Sequence, residues 1–400
     1  MTLEKLILLS EKYDVRVDTH KNYQTSIPYY YDSLRHAFGF YCNTFITNNS
    51  AYTFYAEGLH KRNISVLKHQ FLDEDNTQQT IIAFERFFEL FIKSLLSTTH
   101  SNLSLILCNS ENNKRVSIDR LKNSAVSLTD GIITGFYRPQ KKNNKVLSIP
   151  FNEAINRFYC LADAYKVNPG ANRIIKKFGK IMKEYPFLFC DGCKNTFKYL
   201  NWYRDRILHN GNKLPSLWLL DYTLSQRVLP VVKDIINIDQ AKYKTEFFYF
   251  KTITGIAVLD KICSVKFEFT DLYKKTKQNF AFASLLKLGH LKELGRANMN
   301  MNLFVRANKA TYEYNYHDPL GRGERFANAE KKHPDFRGIS HCPCCGIKSL
   351  VLYNITVDDF FNENKKQLVS WVKCYTCDYH LRYDTGEPAL LGIYPAQLFS

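Results

Sequence analysis

Four cysteines near the end of this chain are spaced to hold one metal ion. Cys342-Pro-Cys-Cys345-Gly and Cys374-Tyr-Thr-Cys377 are two Cys-x-x-Cys turns separated by 28 residues. Each turn is tight enough to aim its two thiolates the same way. Two such turns on neighbouring hairpins bring four sulfurs to the corners of a tetrahedron, the arrangement Zn²⁺ takes in structural sites. Four protein ligands leave the ion no open position, so its expected role is to hold the fold. Cys344 lies inside the first turn, and His341 and His380 stand beside the two turns, so the ligand set is open at this stage. A third pair, Cys190-Asp-Gly-Cys193, has the spacing but no second pair nearby and reads as structural.

A second stretch offers acid–base chemistry: Tyr199-Leu-Asn-Trp-Tyr-Arg204-Asp205-Arg206-Ile-Leu-His209-Asn-Gly211. Apolar residues at 199, 200, 202, 203, 207 and 208 predict a helix that Asn210-Gly211 stops, because Gly is favoured just past a helix end. His209 then sits at a helix C-terminus, where the dipole favours the imidazolium and keeps titration near neutrality, the range general acid–base work needs. Asp205, one turn earlier, is placed to reach the imidazole and fix its tautomer. Arg204 lies about 140° around an ideal helix from His209, so the two converge only through the helix end or a second subunit. The other Arg and His at comparable spacing, Arg62 and His69, lack the helix, the Asp and the Gly stop and read as coincidence.

These groups need elements to carry them. Ile81, Ile82, Phe84, Phe88, Phe91, Ile92, Leu95 and Leu96 recur every three or four residues and predict an amphipathic helix over 78–96, with Asn76 or Thr77 as its cap. Further helices are expected over 150–165, 174–182, 194–208 and 215–236, so 76–240 reads as an antiparallel helical bundle. It is interrupted by an exposed basic loop, Arg138 to Lys145. Residues 1–75 carry no chemical signature beyond a short amphipathic helix at Met1–Ser10, too charged for a leader or a membrane anchor. Residues 241–340 read as a basic α/β or linker region. The stretches Leu350–Val357 and Leu368–Lys373 predict strands, making 341–400 a small β zinc ribbon with a core separate from the bundle. The fold class is therefore mainly α with a small C-terminal β module.

Composition narrows the class. The chain has 400 residues, 45% of them apolar and 14% aromatic, enough to bury real cores. A formal charge of +17 favours an anionic partner, nucleic acid first. Eleven cysteines, an odd number without a secretion signal, point to a reducing cytoplasm where Cys pairs bind metal. No run approaches the length of a membrane span, so no membrane partner is expected.

The stretch around Arg204 resembles the Arg-x4-6-His signature of the HEPN superfamily, in which the position after Arg is commonly Asn, Asp or His, as Asp205 is here. Phe84-Glu-Arg-Phe-Phe-Glu89-Leu-Phe-Ile-Lys93 is similar to the acidic-then-lysine first helix of many members. The resemblance covers about 78–238. It implies an antiparallel helical bundle and a metal-independent endoribonuclease whose site is built from two copies of the motif across a homodimer. In that chemistry the RNA 2′-hydroxyl attacks the adjacent phosphate, His209 moves the proton and Arg204 neutralises the phosphoryl charge. Zinc is then structural and catalysis needs no cofactor. Arg138–Lys145, Arg173–Lys180 and Arg322–Arg337 are candidate contacts to the RNA backbone. The combination also suggests a defence protein of the abortive-infection type, or a toxin, that cuts cellular RNA. The alternatives are a zinc-ribbon nucleic-acid-binding regulator and a non-catalytic HEPN dimerisation scaffold.

Overall fold

The apolar stripe predicted over 78–96 belongs to a longer helix, and a second helix not expected from the sequence covers it. In a computed structural model of the chain, residues 28–47, 74–112, 114–116, 125–142, 145–210, 214–215, 217–243, 250–267, 279–307, 321–358 and 365–382 are described. The expected helix at Met1–Ser10 and the pair Arg62 and His69 lie outside them. The covering helix is α1 (Tyr30–Thr47), and it packs along α2 (Glu74–Thr99). Tyr30 meets Phe87 and Phe91 edge-on, and Phe84, Phe87, Phe88 and Phe91 are fully buried. Because α2 starts at Glu74, Asn76 and Thr77 lie inside its first turn and do not cap it; the Asn76 carbonyl accepts from the Thr80 hydroxyl.

A small insertion follows. It comprises β1 (Leu107–Asn109), α3 (Ala125–Ile133), β2 (Tyr137–Pro139), β3 (Lys141–Lys142) and β4 (Lys145–Val146). Strands β1 and β2 pair antiparallel, as do β3 and β4. The stretch read as a basic loop is therefore partly a hairpin with Lys141 and Lys142 exposed. Next come α4 (Phe151–Val167), α5 (Arg173–Glu184) and α6 (Asp191–Asn210), each extending past the predicted range at both ends or one. Arg157 on α4 is 1% exposed and donates to the Leu103 and Leu105 carbonyls while pairing with Glu153, which pins the insertion to the bundle.

The helix predicted over 215–236 is broken into α7 (Leu217–Thr223), a π-turn (Leu224–Val228) and α8 (Leu229–Tyr243). The break has a local cause. Pro230 has no N–H, and its ring would press on the carbonyl four residues back; widening the turn relieves that contact. At the far end of α8 the buried Asp239 carboxylate accepts from Tyr30, Tyr31 and Tyr185 hydroxyls at 2.5, 2.8 and 2.7 Å. One acid thus ties α1 and the end of α5 to α8. The burial and charge of that contact push the Tyr30 and Tyr185 hydroxyls well above the usual phenol range.

Residues 241–340 are where the structure departs furthest from the sequence reading. After α9 (Val258–Cys263), α10 (Asn279–Ala307) is a buried element of the core and not a linker: Leu285, Leu288, Leu291, Leu294 and Ala297 are all enclosed. Lys292, Glu293 and Arg296 are enclosed as well. Lys292 pairs with Asp221 of α7 at 2.8 Å, both fully buried, and Arg296 makes a two-pronged pair with Glu293. The reason is topological: α10 is covered on one side by α1 and on another by the C-terminal sheet, so its polar residues find partners inside. At Gly295 an added Cβ would lie 2.6 Å from the Cys42 sulfur, so α1 and α10 approach where only glycine fits.

The chain closes with α11 (Arg322–Ala329) and an antiparallel sheet, β5 (Phe336–Ser340), β6 (Leu350–Asp358), β7 (Lys365–Cys374) and β8 (His380–Arg382), in that spatial order. The two predicted strands are β6 and β7. The cysteines expected to sit over a core of their own instead share one apolar cluster with the helices, reaching from Tyr30 to Leu381. No helix of the described residues is long and apolar enough to cross a membrane.

Candidate metal centre and candidate active site

The two Cys-x-x-Cys turns are copies of one backbone shape. In the first, Gly346 N–H donates to the Cys342 carbonyl at 2.8 Å and Cys342 N–H to the Ile347 carbonyl at 2.9 Å. In the second, Asp378 N–H donates to the Cys374 carbonyl at 3.0 Å and Cys374 N–H to the Tyr379 carbonyl at 2.7 Å. Both turns end in a left-handed residue, Gly346 at φ +76° and Asp378 at φ +59°. Glycine takes that conformation freely and Asp is among the few other residues that tolerate it. The second turn is thus legible as a knuckle although it lacks the glycine.

These turns bring Cys342, Cys345, Cys374 and Cys377 together, all buried, with every sulfur within 4.8 Å of the others. The Cys342–Cys377 and Cys345–Cys374 sulfurs are 3.5 and 3.7 Å apart. A disulfide would need about 2.05 Å. Four sulfurs about 2.3 Å from one ion define tetrahedron edges of about 3.8 Å, so the separations suit a metal ion such as zinc. Outer contacts support the sulfurs: Cys344 N–H points at the Cys342 sulfur at 3.4 Å, and the Ser349 hydroxyl lies 3.3 Å from Cys374. The open ligand set resolves to these four. His341 is exposed and its Nδ1 bonds the Gly346 carbonyl, while Cys344 is buried outside the sulfur group. Cys190 accepts from Cys193 N–H at the start of α6, a capping contact, and neither belongs to a metal-ligand group among the described residues.

The knuckles are held from outside the sheet. Thr254 donates its hydroxyl to the Pro343 carbonyl in the first. In the second, His380 N–H donates to Glu293 at 2.9 Å, and Arg296 donates to the Asp378 carbonyl and, at 3.4 Å, to its carboxylate. Helix α11 approaches so closely that a Cβ on Gly323 would meet the Thr376 hydroxyl at 2.1 Å. Thr254, α10 and α11 are therefore the platform on which the candidate metal centre rests.

Residues Tyr199 to Asn210 form about the last three turns of α6, and the expected stop at Gly211 lies outside the described residues. Asp205 does not reach His209. Its carboxylate accepts from Arg204 at 3.0 Å and from Asn201 at 3.1 Å. The reason is proximity: a cation beside it and an amide one turn back satisfy both oxygens. His209 is exposed in the final turn and makes no hydrogen bond or ion pair among the described residues. Trp202, on the same face of the helix as His209, is 48% exposed with the Arg206 guanidinium 4.3 Å over its ring, and Leu208 is 53% exposed.

Helix α2 faces this end of α6 and adds a residue the sequence reading did not single out. Glu85 is 4% exposed, and burial raises its carboxyl to about 7, with Glu89 and Asp205 pushing the same way and Arg204 and Arg86 opposing. Among the described residues Glu85 has no hydrogen-bond partner, whereas Glu89, one turn on, pairs with Lys93 and more loosely with Arg86. The signal was present in the sequence. Glu85 falls on the apolar stripe with Ile81, Phe88 and Ile92, where a carboxylate is costly. A carboxyl that changes charge near neutrality beside an accessible arginine is suited to proton handling at an anionic substrate.

No protein family, curated protein or solved structure matches this chain.

Proposed function

We propose that the protein is a metal-independent endoribonuclease of the HEPN type that works as a homodimer, with zinc holding its C-terminal module. The observation that carries this reading is the junction of α2 and α6. Arg204 is anchored on one side by Asp205 yet 38% exposed, so donors of its planar fork stay available to a phosphate, and Glu85 titrates beside it. His209 stands on another face of α6, so one chain presents the two halves of the chemistry apart. Exposed Trp202 and Leu208 flank the motif and offer apolar surface for a second copy, which would bring Arg204 of one chain toward His209 of the other. The zinc assignment rests on the four-sulfur geometry, and the +17 charge suits an RNA partner. A role in defence or as a toxin follows from the HEPN resemblance alone.

The test is to express wild type, Arg204→Ala and His209→Ala side by side and examine total RNA. Loss of an acid–base group or of the phosphoryl-stabilising charge should slow cleavage by at least ~100-fold. Intact RNA with wild type in a folded, metal-loaded state would favour the dimerisation scaffold instead.

A further inference from the structure

We propose that Cys190 and Cys193, at the start of α6, form a thiol–disulfide exchange site that closes to an internal disulfide when it meets a small-molecule disulfide. Cys190 caps the helix: its carbonyl accepts from Lys194 N–H at 3.2 Å, and its sulfur accepts from Cys193 N–H at 3.4 Å. That is the spacing of a capping box, in which the side chains of the cap and of the third helical residue turn toward each other's backbone. Here both side chains are thiols. They differ in access: Cys190 is exposed, whereas Cys193 is 2% exposed and its sulfur makes no hydrogen bond among the described residues. Within the turn the outer sulfur is left open, because Asp191 and Gly192 are exposed and even a Cβ on Gly192 would stay 3.8 Å from it. Cα atoms three residues apart at the end of an α-helix lie about 5 Å from each other, inside the span a disulfide bridges.

The chain before the helix holds the pair in place. The turn Pro186–Phe189 is anchored by buried Leu188 and by Phe189, which stacks on Phe158 at 5.0 Å, and it delivers Cys190 with its N–H on the Phe187 carbonyl. The pair stands apart from the four-sulfur group, so a metal held there leaves both thiols unligated. Exchange proceeds by two displacements. The Cys190 thiolate, its proton lost to water, attacks one sulfur of the small disulfide; that S–S bond breaks and half of the reagent leaves as a thiolate. Cys193 then gives its proton to water, attacks the Cys190 sulfur and releases the other half. The protein loses two electrons and two protons, and the reagent is reduced to two thiols. Burial, with Cys190 and Asp234 adding to it, holds the Cys193 thiol well above the usual range, which suits the second attack and not the first.

The experiment treats the full metal-loaded chain with oxidised glutathione, quenches in acid, alkylates the free thiols and digests with trypsin for mass spectrometry. Cleavage after Lys183 and Lys194 yields one peptide, residues 184–194, that holds both cysteines and no others. Wild type should give this peptide lighter by two hydrogens and closed to alkylation until dithiothreitol is added. Cys193→Ala should stall at the mixed disulfide of Cys190 with glutathione, with at least ~10-fold more of it than wild type accumulates, because the second thiol is missing from the turn. Cys190→Ser keeps a favoured helix cap, so it should stay folded by circular dichroism and leave Cys193 reduced. A wild type that stays open to alkylation at both thiols would overturn the site. So would a mixed disulfide as abundant in wild type as in Cys193→Ala, or a Cys193 that is oxidised as fast in Cys190→Ser as in wild type.

Discussion

Replacing Glu85 by Gln should make the protein more stable at pH 8 and no more stable at pH 5. Burial raises the folded carboxyl from 4.5 to about 7. Between those values the folded state keeps a proton that the unfolded chain releases, so stability falls as pH rises through the window and levels off above it. The difference of about 2.5 pH units, at 1.36 kcal/mol each, is a penalty of about 3 kcal/mol in full. Glutamine keeps the size and stays neutral, and the shift is already net of the attraction of Arg204 and Arg86, so a gain of up to about 3 kcal/mol is expected at pH 8. Urea unfolding at the two pH values, with metal bound, measures it directly. A Glu85→Gln protein that keeps the wild-type pH dependence, or that is less stable than wild type at pH 8, would refute the account of Glu85 as a buried titrating acid. In addition, Arg204→Ala should move the wild-type transition to higher pH, because it removes a charge that lowers the Glu85 carboxyl.

Other consequences are open to measurement. Protein purified without chelator should contain one zinc per chain, and Cys374→Ser should lose it; elemental analysis decides. Because Glu293 and Arg296 join the second knuckle to α10, metal loss should lower the unfolding midpoint of the helices as well as expose the sheet to protease. Unchanged helical melting would mean that the two parts fold apart. Lys292→Met alone should cost about 3–5 kcal/mol by stranding Asp221, while Asp221→Leu with Lys292→Met should recover most of it in denaturant titration. Trp202→Glu should shift the protein toward monomer in sedimentation and reduce RNA cleavage in parallel; a monomer of full activity would contradict a shared site.

What the sequence made legible was local. The helices α2, α4, α5 and α6 announce themselves because apolar residues recur at helical spacing, and the sulfur ligands because each pair lies within one turn. The metal centre needs only the two turns and a hairpin register to bring them together. Helix α10 was hidden for the opposite reason. His290, Lys292, Glu293 and Arg296 look like a solvated face, and only partners 71 and 82 residues away, Asp221 and Asp378, make that face an interior. Asp205 was misdirected by the same kind of competition at short range, since spacing allows His209 but Arg204 and Asn201 are nearer. The split of the helix at Pro230, by contrast, follows from a residue whose chemistry was in plain view.

The central claim is that Arg204 and His209 cut RNA with the RNA's own 2′-hydroxyl. The most direct measurement compares cleavage of one oligoribonucleotide with its 2′-O-methyl counterpart, in a short assay with EDTA while the metal centre is still folded. The account predicts cutting of the unmodified strand with 2′,3′-cyclic phosphate ends, none of the methylated strand, and none of either by His209→Ala. Equal cutting of both strands, or immediate arrest by EDTA, would contradict it.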